Sequence, residues 1–201
     1  MLTLRSSPLS PFGRKVRIAA DMLGLSDRIE VTAADTSNPE DDLRRQNPLG
    51  KIPVLIAEDG TSLYDSRVIL DYLDHLAGGG RIVPTGDARF AALTHQALFD
   101  GLMDASILRV YEARWRPAEH HVQAWLDHQT GKVERTLAHA ETALSTPAAS
   151  LHVGHITQAC ALGYLDFRFG GTWRQEHPKL VAWLDDFAAR VPSFAATKAP
   201  A

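Results

Sequence analysis

The spacing of apolar residues changes character at Gly78-Gly79-Gly80, and that change limits what this chain can fold into. Before the glycines, short apolar runs alternate with helical patterns; after them only helical spacing recurs. Leu2 to Leu4 is a strand candidate, ended by Ser6, Ser7 and Pro8. Val16, Ile18, Ala19, Ala20, Met22 and Leu23 form an apolar helical pattern that stops at Gly24. Residues 28–33 alternate polar and apolar side chains, as a second strand does. Pro39 suits the first turn of a helix that carries Leu43 and ends near Asn47-Pro48. The run from Pro53 to Ala57 reads as a buried strand, and Asp59-Gly60 as a hairpin turn into Ser62-Leu63. Val68, Ile69, Tyr72, Leu73 and Leu76 mark one face of a helix opening at Asp65-Ser66.

The order βαβαββα implies a mixed sheet flanked by helices. The glycines then open a linker that Pro84 closes. Beyond it, Phe90, Leu93, Ala97, Leu98, Gly101, Leu102, Ala105, Leu108 and Tyr111 recur at three and four, the spacing of a long helix. Val122, Leu126, Gln129, Val133, Leu137, Ala140 and Leu144 form a second such stripe, entered through Pro117. Two shorter helices are expected at 156–169 and 178–189. The expected division is an α/β domain at 1–77, a linker at 78–88 and an all-α domain at 89–201.

With 45% hydrophobic and 22% charged residues, the chain can bury a core and stay in solution. A net charge of −3 argues against a nucleic-acid partner held by bulk electrostatics. No apolar run is long enough to span a membrane, and the N-terminal residues are too poor in apolar side chains for a secretory signal. Cys160 is the single cysteine, which excludes an internal disulfide and points to a reducing, cytoplasmic setting.

Three N-terminal segments carry the chemistry. In Ser7-Pro8-Leu9-Ser10-Pro11-Phe12-Gly13-Arg14-Lys15, serines before a proline at a helix start are ordinary caps. The same position sets the Ser10 hydroxyl beside a helix N-terminus, where the partial positive charge favours an anion such as a thiolate. In the second segment, Asn47 to Leu55, a cis bond before Pro53 would turn the Ile52 backbone outward toward a peptide ligand. In the third, Tyr64-Asp65-Ser66-Arg67, either Asp65 and Ser66 cap a helix, or Ser66 takes a carboxylate while Asp65 pairs with an amine.

Taken in this order, the three segments resemble those of the cytosolic glutathione S-transferase family, and the resemblance covers nearly the whole chain. Ser10-Pro11-Phe12 is similar to the active-site turn of the thioredoxin-like fold, with serine in place of the reactive cysteine. Lys51-Ile52-Pro53-Val54 resembles the family's cis-proline strand, and Asp65-Ser66-Arg67 its motif for the γ-glutamyl group. Residues 160–168 and 177–183 resemble the helical domain of serine-type bacterial members. The resemblance implies a thioredoxin-like N-terminal domain followed by an all-helical C-terminal domain. It also implies glutathione as co-substrate, bound by Phe12, Lys51, Ile52, Pro53, Asp65 and Ser66, with Ser10 lowering the pKa of its thiol. Ser6 and Ser7 stand as rival donors. Without a thiol at this turn, disulfide exchange through the protein is disfavoured.

A small electrophile would rest against the first long helix, near Met103, Ile107, Tyr111, Arg114 and Trp115. Relatives of this organisation suggest a homodimer and a role in detoxification; a non-catalytic ligand-binding or interaction module is the alternative. Where the family carries a Ser/Thr-x-x-Asp capping box, this chain reads His152-Val-Gly-His155, which predicts a weaker, pH-sensitive cap. Neither that pair nor His120-His121 comes with cysteine or carboxylate ligands at metal spacing, so no metal is expected.

Overall fold

A computed structural model describes residues 1–143 and 150–200. Two compact units form, Met1–Ala92 together with Val191–Ala201, and Leu93–Arg190.

The first unit is built on a four-stranded mixed sheet of β1 (Leu2–Ser6), β2 (Ile29–Ala33), β3 (Val54–Ile56) and β4 (Ser62–Leu63). The strands lie in the order β2-β1-β3-β4. β1 and β2 are parallel and so need a crossover, which α1 (Pro11–Met22) supplies. β3 and β4 are antiparallel to their neighbours. Alternation along β1 buries Leu2, Leu4 and Ser6. Val54 and Leu55 of β3, Val16 and Ile18 of α1, and Ile69 and Leu73 of α3 (Ser66–Leu76) complete the core.

The expected helix from Pro39 does not form; only α2 (Leu43–Gln46) is helical. The preceding segment spends its side chains on its own backbone. Asp35 Oδ1 accepts from Ser37 N–H, Asn38 Oδ1 from Glu40 N–H, and Asp41 Oδ1 from Leu43 N–H. Such local bonds compete with the helical ladder and hold the chain in turns. Arg5 pairs with Asp41 at 2.7 Å and ties those turns to β1.

Sequence periodicity did not reveal α8 (Ser193–Ala196), which packs on α1. Arg14 lies 4.1 Å from the centre of the Phe194 ring and donates to Thr197 Oγ1 at 3.2 Å.

The second unit takes most of α4 (Asp87–Trp115), with α5 (Gln123–Ala143), α6 (Val153–Phe169) and α7 (Pro178–Arg190). Leu144, the last residue of the expected α5 stripe, lies outside the described residues. Phe99, Leu102, Leu137, Ile156, Leu162, Leu180 and Phe187 fill the core. The α6 helix ends at Gly170, whose φ of 66° suits a residue without a side chain. Asp166 of α6 then accepts from Trp173 Nε1 and from the Arg174 guanidinium, fixing the turn toward α7. Among the described residues no helix is long and apolar enough to cross a membrane.

One close approach positions the start of α1. A Cβ placed on Gly13 would lie 2.0 Å from Ser6 Oγ, at the end of β1. Gly13→Ala gains about 1 kcal/mol of helix propensity, but the buried Ser6 side chain must give way to it, with a typical overpacking loss of about 1–3 kcal/mol. We expect Gly13→Ala to lower the thermal midpoint, and Ser6→Ala added to it to recover most of the loss; independent, additive effects would contradict this.

Candidate functional site

The sheet register gathers the three N-terminal segments at one end of the first unit. Arg5 of β1 pairs antiparallel with Val54 of β3, so the turn after Ser6 lies beside the chain entering β3 at Pro53. Leu55 pairs with Leu63, so the segment leaving β4 toward Asp65 returns to the same end.

Ser10 is the N-cap of α1, in an extended conformation, with Pro11 as the first helical residue. Its Oγ accepts from Gly13 N–H at 3.1 Å. The hydroxyl proton is therefore left to be donated elsewhere, beside the positive end of the helix. Ser6 is 3% exposed and faces the core. Ser7 is half-buried, and its Oγ accepts from Leu9 N–H.

Ile52-Pro53 is cis. β3 begins only at Val54, so Ile52 lies beyond the strand pairing. Asn47, nearly fully buried, shapes the approach: its Nδ2 donates to the Lys51 carbonyl at 2.9 Å and its Oδ1 accepts from Leu49 N–H. Lys51 itself is exposed.

Asp65 caps α3, with Oδ1 accepting from Arg67 N–H at 3.0 Å and Oδ2 paired with the Arg67 guanidinium at 2.7 Å. Burial works to raise its carboxyl, but the Arg67 bonds and charge, helped by the charge of Lys15, hold it below the ordinary value. Ser66, the first residue of α3, is 2% exposed and accepts from Lys15 Nζ at 3.2 Å. Lys15 has no exposed surface and lies 5.8 Å from the Phe12 ring centre. Lys15 was assigned nothing from the sequence; its place on the same helical face as Pro11, Phe12, Ile18 and Ala19 was the available signal.

Of the five acceptor-site candidates on α4, only Tyr111 and Trp115 line a cavity. By the 3.6-residue period the five fall within about 120° of the circumference of α4, with Met103 and Trp115 at its two edges. Met103 is fully buried. Tyr111 and Trp115 instead line a cavity of ≈ 370 Å³ with Leu108, Glu112, Arg116, Val122 and Trp125. Trp125 and Val122 had no place in the expected set, which beyond these five did extend to Leu108 and Glu112. Glu112 accepts from Arg116 at 2.6 Å and from Val122 N–H, bonds that keep its carboxyl below the ordinary value and clamp the α4–α5 connection. A larger cavity, ≈ 480 Å³, lies in the first unit along Val68, Asp71, Tyr72 and His75 of α3, away from Ser10 and Ser66. Cys160 is fully buried on α6.

A thioredoxin-like sheet with a capping serine, a cis-proline at the third strand and a buried serine opening the last helix defines a glutathione-transferase fold. The family models agree: the glutathione S-transferase N-terminal domain matches residues 4–81 and the C-terminal domain residues 123–186. The chain is 31% identical to the GST-like protein YibF of Escherichia coli K12 over 99% of both chains. A crystal structure of a glutathione transferase family member from Pseudomonas fluorescens Pf-5, with bound glutathione, superposes with a TM-score of 0.93 at 44% identity over the full length of both chains. A glutathione S-transferase from Methylobacillus flagellatus, with glutathione bound, gives 0.89 at 37%, again over both full chains. The chain belongs to the glutathione S-transferase family.

The two histidines at the start of α6 form a reciprocal capping box. His152 Nδ1 accepts from Gly154 N–H at 3.1 Å, and His155 Nδ1 accepts from His152 N–H at 3.2 Å. Their rings are 3.8 Å apart, and His95 of α4 stands edge-on to both while bonding Gln158 through Nε2. One ligand atom from each of the three imidazoles lies within 4.8 Å of the others, a grouping absent from the sequence reading. Because both Nδ1 atoms accept backbone protons, the neutral rings carry hydrogen on Nε2. A metal would therefore compete with the cap.

Burial, and then the neighbouring imidazoles, depress His152 to about 4 and His155 to about 3, with Arg190 adding to the effect on His155. Burial likewise lowers His95. Folded values below the ordinary 6.5 mean that the unfolded chain binds protons the folded one refuses. The stabilisation is complete above about pH 6.5 and disappears as pH falls toward about 4. Thermal midpoints should thus drop between pH 7 and pH 5 more steeply in the native chain than in His152→Ser/His155→Gln, which restores an uncharged box. Parallel pH profiles would refute the account.

Proposed function

We propose that this chain is a glutathione transferase in which Ser10 donates a hydrogen bond to the glutathione sulfur and stabilises its thiolate. The observation that carries this reading is the Ser10 cap: Oγ accepts from Gly13 N–H, so its proton is available for an anion at the helix start. A free thiol titrates near about 8.5 and is only a few per cent thiolate at neutral pH. Lowering that value by about two units, worth about 2.7 kcal/mol, makes the thiolate the major species. The relatives solved with glutathione support binding of the same peptide here.

In this reading glutathione lies extended beside Phe12 and Lys51, its cysteinyl backbone pairing with Ile52 next to cis-Pro53. Its γ-glutamyl end meets Asp65 and Ser66. The thiolate attacks a small electrophile held by residues of α4 from Met103 and Ile107 to Tyr111, Arg114 and Trp115. Tyr111 and Trp115, on an open apolar cavity, are the pair we favour for contact. Functionally the chain divides at 1–77, 78–88 and 89–201, works as a homodimer and acts in the cytoplasm in detoxification. Exposed Val68 on the larger cavity, and exposed Phe90 next to Arg89 of its rim, offer apolar surface for a second copy.

Ser10→Ala should keep its retention on immobilised glutathione. Its turnover with an aromatic halide acceptor should fall roughly 20-fold at pH 7 and converge on the native rate above about pH 9, where the thiol ionises unaided. A uniform loss at every pH would remove Ser10 from this role and turn attention to Ser7. A folded native chain that passes through the column unretained would overturn the reading as a whole.

A further inference from the structure

Lys15 contributes an ammonium group to the interior of the first unit, with no exposed surface. A buried charge is expensive to hold unless neighbouring groups answer it. The surroundings of Lys15 are specific: Nζ donates to Ser66 Oγ at 3.2 Å and lies 5.8 Å from the centre of the Phe12 ring. Both neighbours belong to the segments assigned above to glutathione. The ammonium thus bridges the first turn of α1, which follows Ser10, to the first residue of α3.

A serine hydroxyl has one proton and two lone pairs. An ammonium has protons only, so in the Lys15–Ser66 contact Ser66 is the acceptor. The bond occupies one of its lone pairs and leaves its O–H to point elsewhere. The Arg67 amide is already taken by Asp65 Oδ1. The donors at the head of α3 that remain for an anion therefore include the Ser66 amide and the Ser66 hydroxyl, with a positive charge directly behind the latter. That charge reaches the neighbouring groups, since it contributes to holding Asp65 ionised.

We propose that Lys15 is a positioning residue for glutathione: it turns the Ser66 hydroxyl proton toward the γ-glutamyl carboxylate and supplies the buried charge behind it. The inference rests on the assignment of Ser66 to that carboxylate. It separates two tasks within α1, with Ser10 acting on the sulfur and Lys15, five residues on, acting through Ser66 on the other end of the same peptide.

The test is calorimetric binding of two ligands to the full chain, glutathione and 4-aminobutyryl-cysteinyl-glycine, which lacks only the γ-glutamyl α-carboxylate. The native chain should prefer glutathione by about 10- to 100-fold, as for a hydrogen-bonded charged group. Lys15→Met should lose most of that preference by weakening glutathione alone. It should raise KM for glutathione with kcat within about 2-fold, and leave the thiolate titration of bound glutathione in place. Lys15→Gln keeps a donor for Ser66 without the charge and should fall between the two; it also serves if the methionine variant fails to fold. If both variants retain the full preference, or weaken the two ligands equally, Lys15 is a packing residue and the inference is overturned while the Ser66 assignment stands. A native chain that binds both ligands alike overturns the Ser66 assignment and this inference with it.

Discussion

The hydrogen bond from Gly13 N–H to Ser10 Oγ is the interaction on which the candidate site depends. It satisfies one of the donors that a helix start leaves open, and it leaves the serine proton unused. An oxygen that accepts from the backbone still has its proton to give, which is what the proposed donation from Ser10 to an anion requires. A nucleophilic serine would need a base to take that proton, and the turn supplies a backbone amide instead. The local fold serves this arrangement directly. Pro11 opens the helix, and Gly13 lets the end of β1 approach so closely that a single methyl group would collide with Ser6.

The sheet register supplies the remaining geometry. Two antiparallel pairings, Arg5 with Val54 and Leu55 with Leu63, bring the β1–α1 turn, the cis-Pro53 peptide and the head of α3 to one end of the first unit. The contact of Lys15 with Ser66 then joins α1 to α3 through a polar bond inside an otherwise apolar packing of Val16, Ile18, Ile69 and Leu73. The same relation of fixed donor to serine acceptor occurs at both helix starts, once with an amide and once with an ammonium. In the second unit the cap of α6 rests on imidazoles that burial keeps neutral, so its strength follows pH in a way that a serine–carboxylate box would not.

Much of this was legible in the sequence because local rules and tertiary structure agree there. The short strand run Leu2–Leu4, the proline after Ser10, the Asp59-Gly60 turn and the Asp65-Ser66 cap each mean locally what they become in the fold. The helix carrying Leu43 ends where expected but starts later than Pro39, because that start signal was read without the Asp, Asn and Ser side chains around it, which bond to their own backbone. Partners distant in the chain were not legible. Lys15 is an ordinary cation until Ser66, 51 residues away, is found against it, and His95 gives no sign of joining His152 and His155. The acceptor candidates were chosen for residue type along one helix. The cavity takes in only Tyr111 and Trp115 of the five, and recruits Val122 and Trp125 from beyond the end of α4.

The central claim is that one hydroxyl, aimed by one backbone bond, lowers the thiol pKa of bound glutathione. It is tested most directly by titrating the ultraviolet absorbance of the thiolate in the glutathione complexes of the native chain and of Ser10→Ala. The account predicts a midpoint near about 6.5 for the native complex, returning to about 8.5 in the variant. Superimposable titrations would contradict it.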